Sequence, residues 1–317
     1  MKLDLEINNI EVSKNLAGPN NTNLKTIEGI YNLKINFVND TIYFNASDEA
    51  VNTNLVKLFN KLVEVLNLGY KVQPRDIVYL NNLIINHEED KFIKLYSNKR
   101  AVVYTYNNKP IFPKTIKQIE YIDLLTKKDI IFSLGAAGTG KTYLAIAYAV
   151  NLLKKGEVTK IILTRPAVEA GENLGFLPGD LKEKVDPYLR PLYDALYDTL
   201  GSEQTEGLIS KNIIEIAPLA YMRGRTLENA FIILDEAQNA SILQIKMFLT
   251  RLGFNSKMVI TGDPSQIDLK DSRLSGLAYS AKLLREIPEI GVINFTSIDV
   301  VRHPLVSKII DYFEKGL

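Results

Sequence analysis

Three short stretches carry the residue types that chemistry on a phosphate requires. Gly135-Ala-Ala-Gly-Thr-Gly-Lys-Thr142 fits the G-x-x-x-x-G-K-[ST] pattern at every fixed position. Its glycines let successive backbone N–H groups turn toward one anion, and a helix start behind them adds partial positive charge. Gly135, Ala136, Ala137, Gly138, Thr139, Gly140, Lys141 and Thr142 are therefore expected to cradle the phosphates of a nucleoside triphosphate. Lys141 would reach the β- and γ-phosphates, and the Thr142 hydroxyl would ligate Mg²⁺. In the second stretch, Phe231-Ile-Ile-Leu234 runs into Asp235-Glu236. Asp235 is expected to hold Mg²⁺, directly or through water, and Glu236 to orient and polarise the attacking water. In the third, Met258-Val-Ile-Thr-Gly-Asp-Pro-Ser-Gln266, the Gln266 amide could bond a γ-phosphate or the water attacking it. Each stretch alone has a plain structural use, as a turn or a strand end. Their order and spacing together point to a nucleotide and metal site.

Such residues need a scaffold that brings strand ends together. Asp129–Leu134 is short, apolar and β-branched at its centre, as a buried parallel strand should be. Tyr143–Leu153 is Ala/Leu-rich without Gly or Pro and suits a helix. From Pro113 onward strands and helices alternate, with strands expected at 129–134, 159–164, 212–216, 230–235, 257–262 and 292–297. That alternation predicts an α/β domain over 113–317, a mostly parallel sheet with helices on both faces and ligands at the strands' carboxyl ends.

The composition bounds the remaining choices. A chain of 317 residues at 46% hydrophobic can bury a sizeable core and leans toward two domains. With 38 basic and 37 acidic residues, any nucleic-acid contact must come from a local patch. The sequence has no cysteine, which excludes disulfides and thiolate metal sites, and its two histidines, His87 and His303, are far apart. Met1–Glu6 has no apolar leader and no run approaches a membrane span, so a cytoplasmic protein with no membrane partner is expected.

Residues 1–72 read as a small α+β unit. Leu3–Glu11 alternates loosely and Lys14–Thr22 reads as a turn cluster. A helix over 23–30, strands over 31–38 and 41–45 joined at Asn39-Asp40, and a helix capped near Ser47-Asp48 follow. Helix, two strands and helix behind a Gly-containing loop resemble a KH-type single-strand RNA module, with Gly18-Pro19-Asn20-Asn21 in place of the GXXG clamp but without its second glycine. An appendage for assembly or a protein partner fits the same letters. Residues 73–112 form a connector with a helix from Pro74 to Ile85 and a hairpin around Asn107-Asn108-Lys109. Its lysines alternate with Tyr96, Tyr104, Tyr106 and Phe112, which would suit a single strand, though ordinary strand chemistry accounts for them too.

Asp235-Glu-Ala-Gln238 and Gly262-Asp-Pro-Ser-Gln266 resemble motifs II and III of superfamily one helicases, and Pro113–Tyr121 resembles their Q motif. That likeness implies that Gln118 selects ATP by reading the adenine edge, with Tyr121 near the base. Thr164–Asp180, Met222–Asn229 and Val301–Val306 resemble distinctive segments of the PhoH-like ATPase family. The resemblance covers about 113–317 and implies a P-loop NTPase (RecA-like) fold, an Mg²⁺-dependent ATPase and action on RNA. On the same basis Arg165, Phe176, Arg223 and Arg225 become candidate nucleic-acid contacts, Phe176 by stacking on a base.

Arginine aimed at a transferring phosphoryl group stabilises its spread charge, and related motors supply it from a second ATPase-like domain. Too little chain follows Asp235 to build one. A homo-oligomeric ring, with a hexamer favoured, is therefore expected, and Arg302 is the first candidate to reach a neighbouring subunit's ATP; it could also act in cis. The expected function is ATP hydrolysis coupled to single-stranded RNA binding or remodelling. A different class also fits: an ATP-dependent switch or scaffold recruiting an RNA-processing nuclease without translocation. A small-molecule kinase fits less, since it needs neither Gln266 nor the Q-like segment.

Overall fold

The computed structural model describes residues 1–7, 9–97, 100–166, 181–269 and 271–300 together with 305, 306, 309 and 312; over 181–188 it describes the backbone alone. The chain divides into two compact units. One comprises Met1–Lys99, Lys114–Ile116 and Ile298–Leu317, and the other Arg100–Pro113 and Lys117–Ser297. The expected connector is thus shared out, its helix going to the first unit and its hairpin to the second.

The first unit opens with β1 (Lys2–Asp4) and α1 (Ile10–Ala17), followed by α2 (Thr22–Tyr31), β2 (Ile35–Val38), β3 (Thr41–Phe44) and α3 (Glu49–Asn67). Its three strands form an antiparallel sheet in the order β1-β3-β2. Asn39 and Asp40 both take positive φ, 48° and 60°, as the tight hairpin turn requires. Asp48 caps α3 by accepting from the Ala50 amide at 2.8 Å. The turn cluster expected over 14–22 is a correction: α1 runs through its first part. Asn9 accepts from the amides of Glu11 and Val12 at 2.9 and 3.1 Å, and Val12 and Leu16 are buried against the unit. Local capping and tertiary burial outweighed the turn-forming letters beyond it. The loop Gly18–Asn21 joins α1 to α2, and Asn20 and Asn21 take the left-handed conformation, φ 52° and 59°, that a second glycine would otherwise serve.

Two further helices, α4 (Pro74–Ile85) and α5 (Lys91–Ser97), pack on α3 in this unit. Asn23, 1% exposed, ties the helices together: its amide donates to the carbonyls of Asn15 at 2.9 Å and Val72 at 3.3 Å.

The second unit begins with a short hairpin, β4 (Val103–Tyr104) and β5 (Pro110–Ile111), and α6 (Ile116–Lys127). There follow β6 (Ile130–Leu134), α7 (Lys141–Lys155), β7 (Lys160–Arg165), α8 (Leu181–Leu200), α9 (Ser202–Ser210), β8 (Ile214–Pro218) and β9 (Ala230–Leu234). The unit continues with α10 (Ile242–Leu249), β10 (Lys257–Gly262), α11 (Leu277–Leu284) and β11 (Ile290–Asn294). The six long strands form one parallel sheet in the order β11-β6-β10-β9-β7-β8. The expected strands stand within three residues of these at either end.

Side chains alternate across the sheet with the two-residue period of a strand. Ile131, Ile161, Leu163, Phe231, Ile233 and Val259 meet α6, α7 and α8 on one face. Phe132, Ile162, Ile232, Leu234, Met258 and Ile260 meet α10 and α11 on the other. This is the parallel sheet with helices on both faces that the alternating pattern predicts, as in the P-loop NTPase (RecA-like) fold that the family resemblance implied. From β6 the chain crosses toward β7 over β10 and β9, whereas from β10 it crosses the opposite way to β11. Neighbours β6 and β10 therefore bound a topological switch point, the crevice where open α/β sheets bind ligands.

Replacing Asn23 tests the helix tie in the first unit. Asn23→Ala leaves two buried carbonyls without that donor and should cost about 2 kcal/mol. Urea denaturation followed by circular dichroism measures it, and an unchanged midpoint would rule the tie out.

Candidate functional site

The site lies at the β6/β10 switch point, in a cavity of about 240 Å³ lined by the phosphate loop, Asp235, Glu236, Asp263 and Gln266. The loop Gly135–Gly140 leaves β6 and enters α7. Gly135, Gly138 and Gly140 take φ of 135°, 84° and 81°, values that side chains with a Cβ rarely adopt. A Cβ on Gly135 would also lie 2.3 Å from the Phe295 carbonyl oxygen. The Thr139 hydroxyl donates to the Ala136 carbonyl at 2.9 Å and braces the turn from inside. Gln118, on α6, donates its amide to the Thr139 carbonyl at 2.9 Å and is 6% exposed. The residue expected to read adenine thus holds the phosphate loop here. Tyr121 is wholly buried and meets Phe295 edge-on, so it packs in the core and cannot face a base.

Lys141 folds over the loop. Its ammonium donates to the carbonyls of Gly135 at 2.7 Å and Ala136 at 2.8 Å. Burial pushes this ammonium below its ordinary value, while the carboxylates of Asp263, Asp235 and Glu236 pull it back up.

The central carboxylate is Asp235, 3% exposed at the end of β9. Its Oδ1 accepts from the hydroxyls of Thr142 and Thr261, each at 2.6 Å. Its Oδ2 accepts from Arg165 Nε at 2.8 Å and also from Nη2. A carboxylate and a hydroxyl in contact form an oxygen-only donor set, and Mg²⁺ takes few protein ligands, leaving room for substrate phosphates. Thr142 and Asp235 therefore fit Mg²⁺. Glu236 stands beyond, its side chain 46% exposed, and its Oε2 accepts from the Gln238 amide at 2.6 Å. The Gln238 carbonyl oxygen accepts in turn from the Asp263 amide at 3.0 Å. Gln266, exposed, lines the cavity rim.

Lys141, Thr142, Asp235, Glu236 and Gln266 are thus gathered around one cavity. Arg165 is also brought there, but the expected nucleic-acid role is not what its placement serves: the guanidinium sits on Asp235, because a buried carboxylate needs a counter-charge. Arg225 makes a two-pronged pair with Glu215 on β8 at 2.6 and 2.7 Å, which leaves its fork engaged. Arg223 is exposed. Phe176 and Arg302 lie outside the described residues. Sequence reasoning assigned no role to Thr261, Gln238 or Asp263; the available signal was their place at or just past the ends of apolar strands, beside residues already chosen. Among the described residues no helix is long and apolar enough to cross a membrane.

The Lys141 shift has a definite sign. Its folded-state value lies below 10.5, so over that interval the unfolded chain binds the extra proton and stability rises with pH. Nucleotide-free protein should therefore gain stability relative to Lys141→Met as pH climbs toward the ordinary lysine value. Denaturation curves at a series of pH values measure this, and parallel trends for the two chains would refute the burial effect.

The model of the PhoH-like protein family matches residues 110–314. A PhoH-like protein of Bacillus subtilis is 49% identical over 315 residues, covering 99% of this chain and 98% of that relative. One of Mycobacterium leprae is 46% identical over 304 residues, covering 94% of this chain and 84% of its own. Among solved structures, a SWI2/SNF2 ATPase core of Sulfolobus solfataricus covers 57% of this chain and 44% of its own at 17% identity and a TM-score of 0.33, too loose a likeness for any argument to rest on. The family match spans the sheet and all three phosphate-site stretches, and the chain belongs to the PhoH-like protein family, on a P-loop nucleoside-triphosphatase fold.

Proposed function

We propose that this chain hydrolyses ATP with Mg²⁺ and couples the hydrolysis to binding or remodelling single-stranded RNA in the cytoplasm. The observation that carries the first half is the Asp235 carboxylate bonded to Thr142 at 2.6 Å beside the Lys141 ammonium. The loop amides and Lys141 bind and orient the phosphate chain, and Thr142 and Asp235 would hold the metal. Held there, Mg²⁺ would supply positive charge to offset that of the phosphate chain. Glu236 takes a proton from the attacking water, and Gln266 steadies that water or the outer phosphate.

RNA is supported by the helix, two strands and helix of the first unit and by the exposed Arg223. Arg165, the arginine brought to this site, is held on the Asp235 carboxylate. That favours supply of the charge-stabilising arginine by Arg302 or by a neighbouring subunit, in a ring with a hexamer favoured.

Steady-state ATP hydrolysis with and without single-stranded RNA tests the proposal. Lys141→Ala should lower kcat by about 100-fold or more, and RNA should stimulate the parent chain. Hydrolysis that ignores RNA yet is lost with Lys141→Ala would move the reading to an ATP-dependent switch or scaffold for an RNA-processing nuclease.

A further inference from the structure

The hydrolysis reading above gives Asp263 no role, yet the residue is 6% exposed and lines the cavity. Its Oδ1 accepts from the amide and hydroxyl of Ser265 at 3.0 and 2.6 Å, which shapes its own turn. Its Oδ2 does something else: it accepts from the Ala137 amide of the phosphate loop at 3.2 Å. An inward-turned loop amide is built to meet an anion, and here a carboxylate meets it. Asp263 lines this cavity together with Ala137 and Lys141.

We propose that Asp263 is the chain's own stand-in for the outer phosphate: its carboxylate caps the loop at Ala137, must withdraw when a γ-phosphate arrives, and so makes the site distinguish triphosphate from diphosphate. This rests on the nucleotide-site reading and adds a specificity-determining residue to it. Two anions cannot share one amide in a partly dehydrated cavity, and a diphosphate that ends short of this position leaves the cap in place. The withdrawal has a route onward. The Asp263 amide holds Gln238, and Gln238 holds Glu236, at 3.0 and 2.6 Å. Gln238 fits there because residue 262 is glycine; a Cβ at that position would lie 2.5 Å from its Oε1. Movement of Asp263 therefore loosens the restraint on Glu236 only when a third phosphate is bound.

Asp263→Asn separates this role from simple turn capping, because it keeps an oxygen for Ser265 but removes the charge facing Ala137. Calorimetric titration of the full chain in Mg²⁺ with ADP and with an imido-bridged, non-hydrolysable ATP analogue reads it. The variant should bind the analogue about tenfold more tightly, with ADP affinity changed by less than about twofold. An unchanged ratio of the two affinities, or equal tightening of both, overturns the proposal. Failure of the parent chain to bind either ligand overturns the nucleotide-site reading itself. Hydrogen exchange of the parent needs no variant: peptides over 262–266 should change with the analogue and match the nucleotide-free pattern with ADP. Identical exchange with both ligands would refute the cap.

Discussion

The organisation of the site depends on burying one charge, the Asp235 carboxylate. Isolated in a protein interior such a group would be neutralised or expelled, so it persists only with donors around it. Those donors come from the ends of neighbouring parallel strands and the elements that follow them: Thr142 behind β6, Arg165 on β7 and Thr261 on β10. A parallel sheet makes this convergence possible, since every carboxyl end lies along the same edge. The Arg165 pair also means that metal would meet an already compensated carboxylate, and binding becomes an exchange of one cation for another.

The phosphate loop shows the complementary cost. Its three glycines hold positive φ, and Gly135 lies so close to Phe295 that a side chain is excluded. Gln118 and Thr139 hold this conformation from either side of the backbone. Glu236 is itself left-handed at φ 54°, an unfavourable state for a residue with a long side chain. The sheet beneath, with Ile131, Phe132, Phe231 and Ile233 wholly buried, supplies the stability that sustains this conformation.

Turns elsewhere in the chain use asparagine where many proteins use glycine. Asn20, Asn21, Asn32, Asn39, Asn108, Asn212, Asn229 and Asn255 all take positive φ. Asparagine tolerates this region because its short amide can bond locally. The Asn39-Asp40 hairpin turns without glycine or proline, whereas Gly18-Pro19 lies only beyond Ile10–Ala17, which is helical.

By itself the sequence determined the strand–loop–helix carrying Lys141, the acidic strand ending in Asp235 and the alternation that builds the parallel sheet. Each is a local pattern: apolar period, glycine spacing, polar residues at a strand's end. Only the tertiary structure decided that Thr261 shares an oxygen of Asp235 with Thr142, that Arg165 is drawn to that carboxylate, and that Asp263 reaches the Ala137 amide. It likewise turned Gln118 onto the loop and buried Tyr121. These pairings join residues separated by tens of positions or more, and which partner a polar group finds depends on strand order and on what burial leaves unsatisfied, neither of which is written in the local spacing of residues.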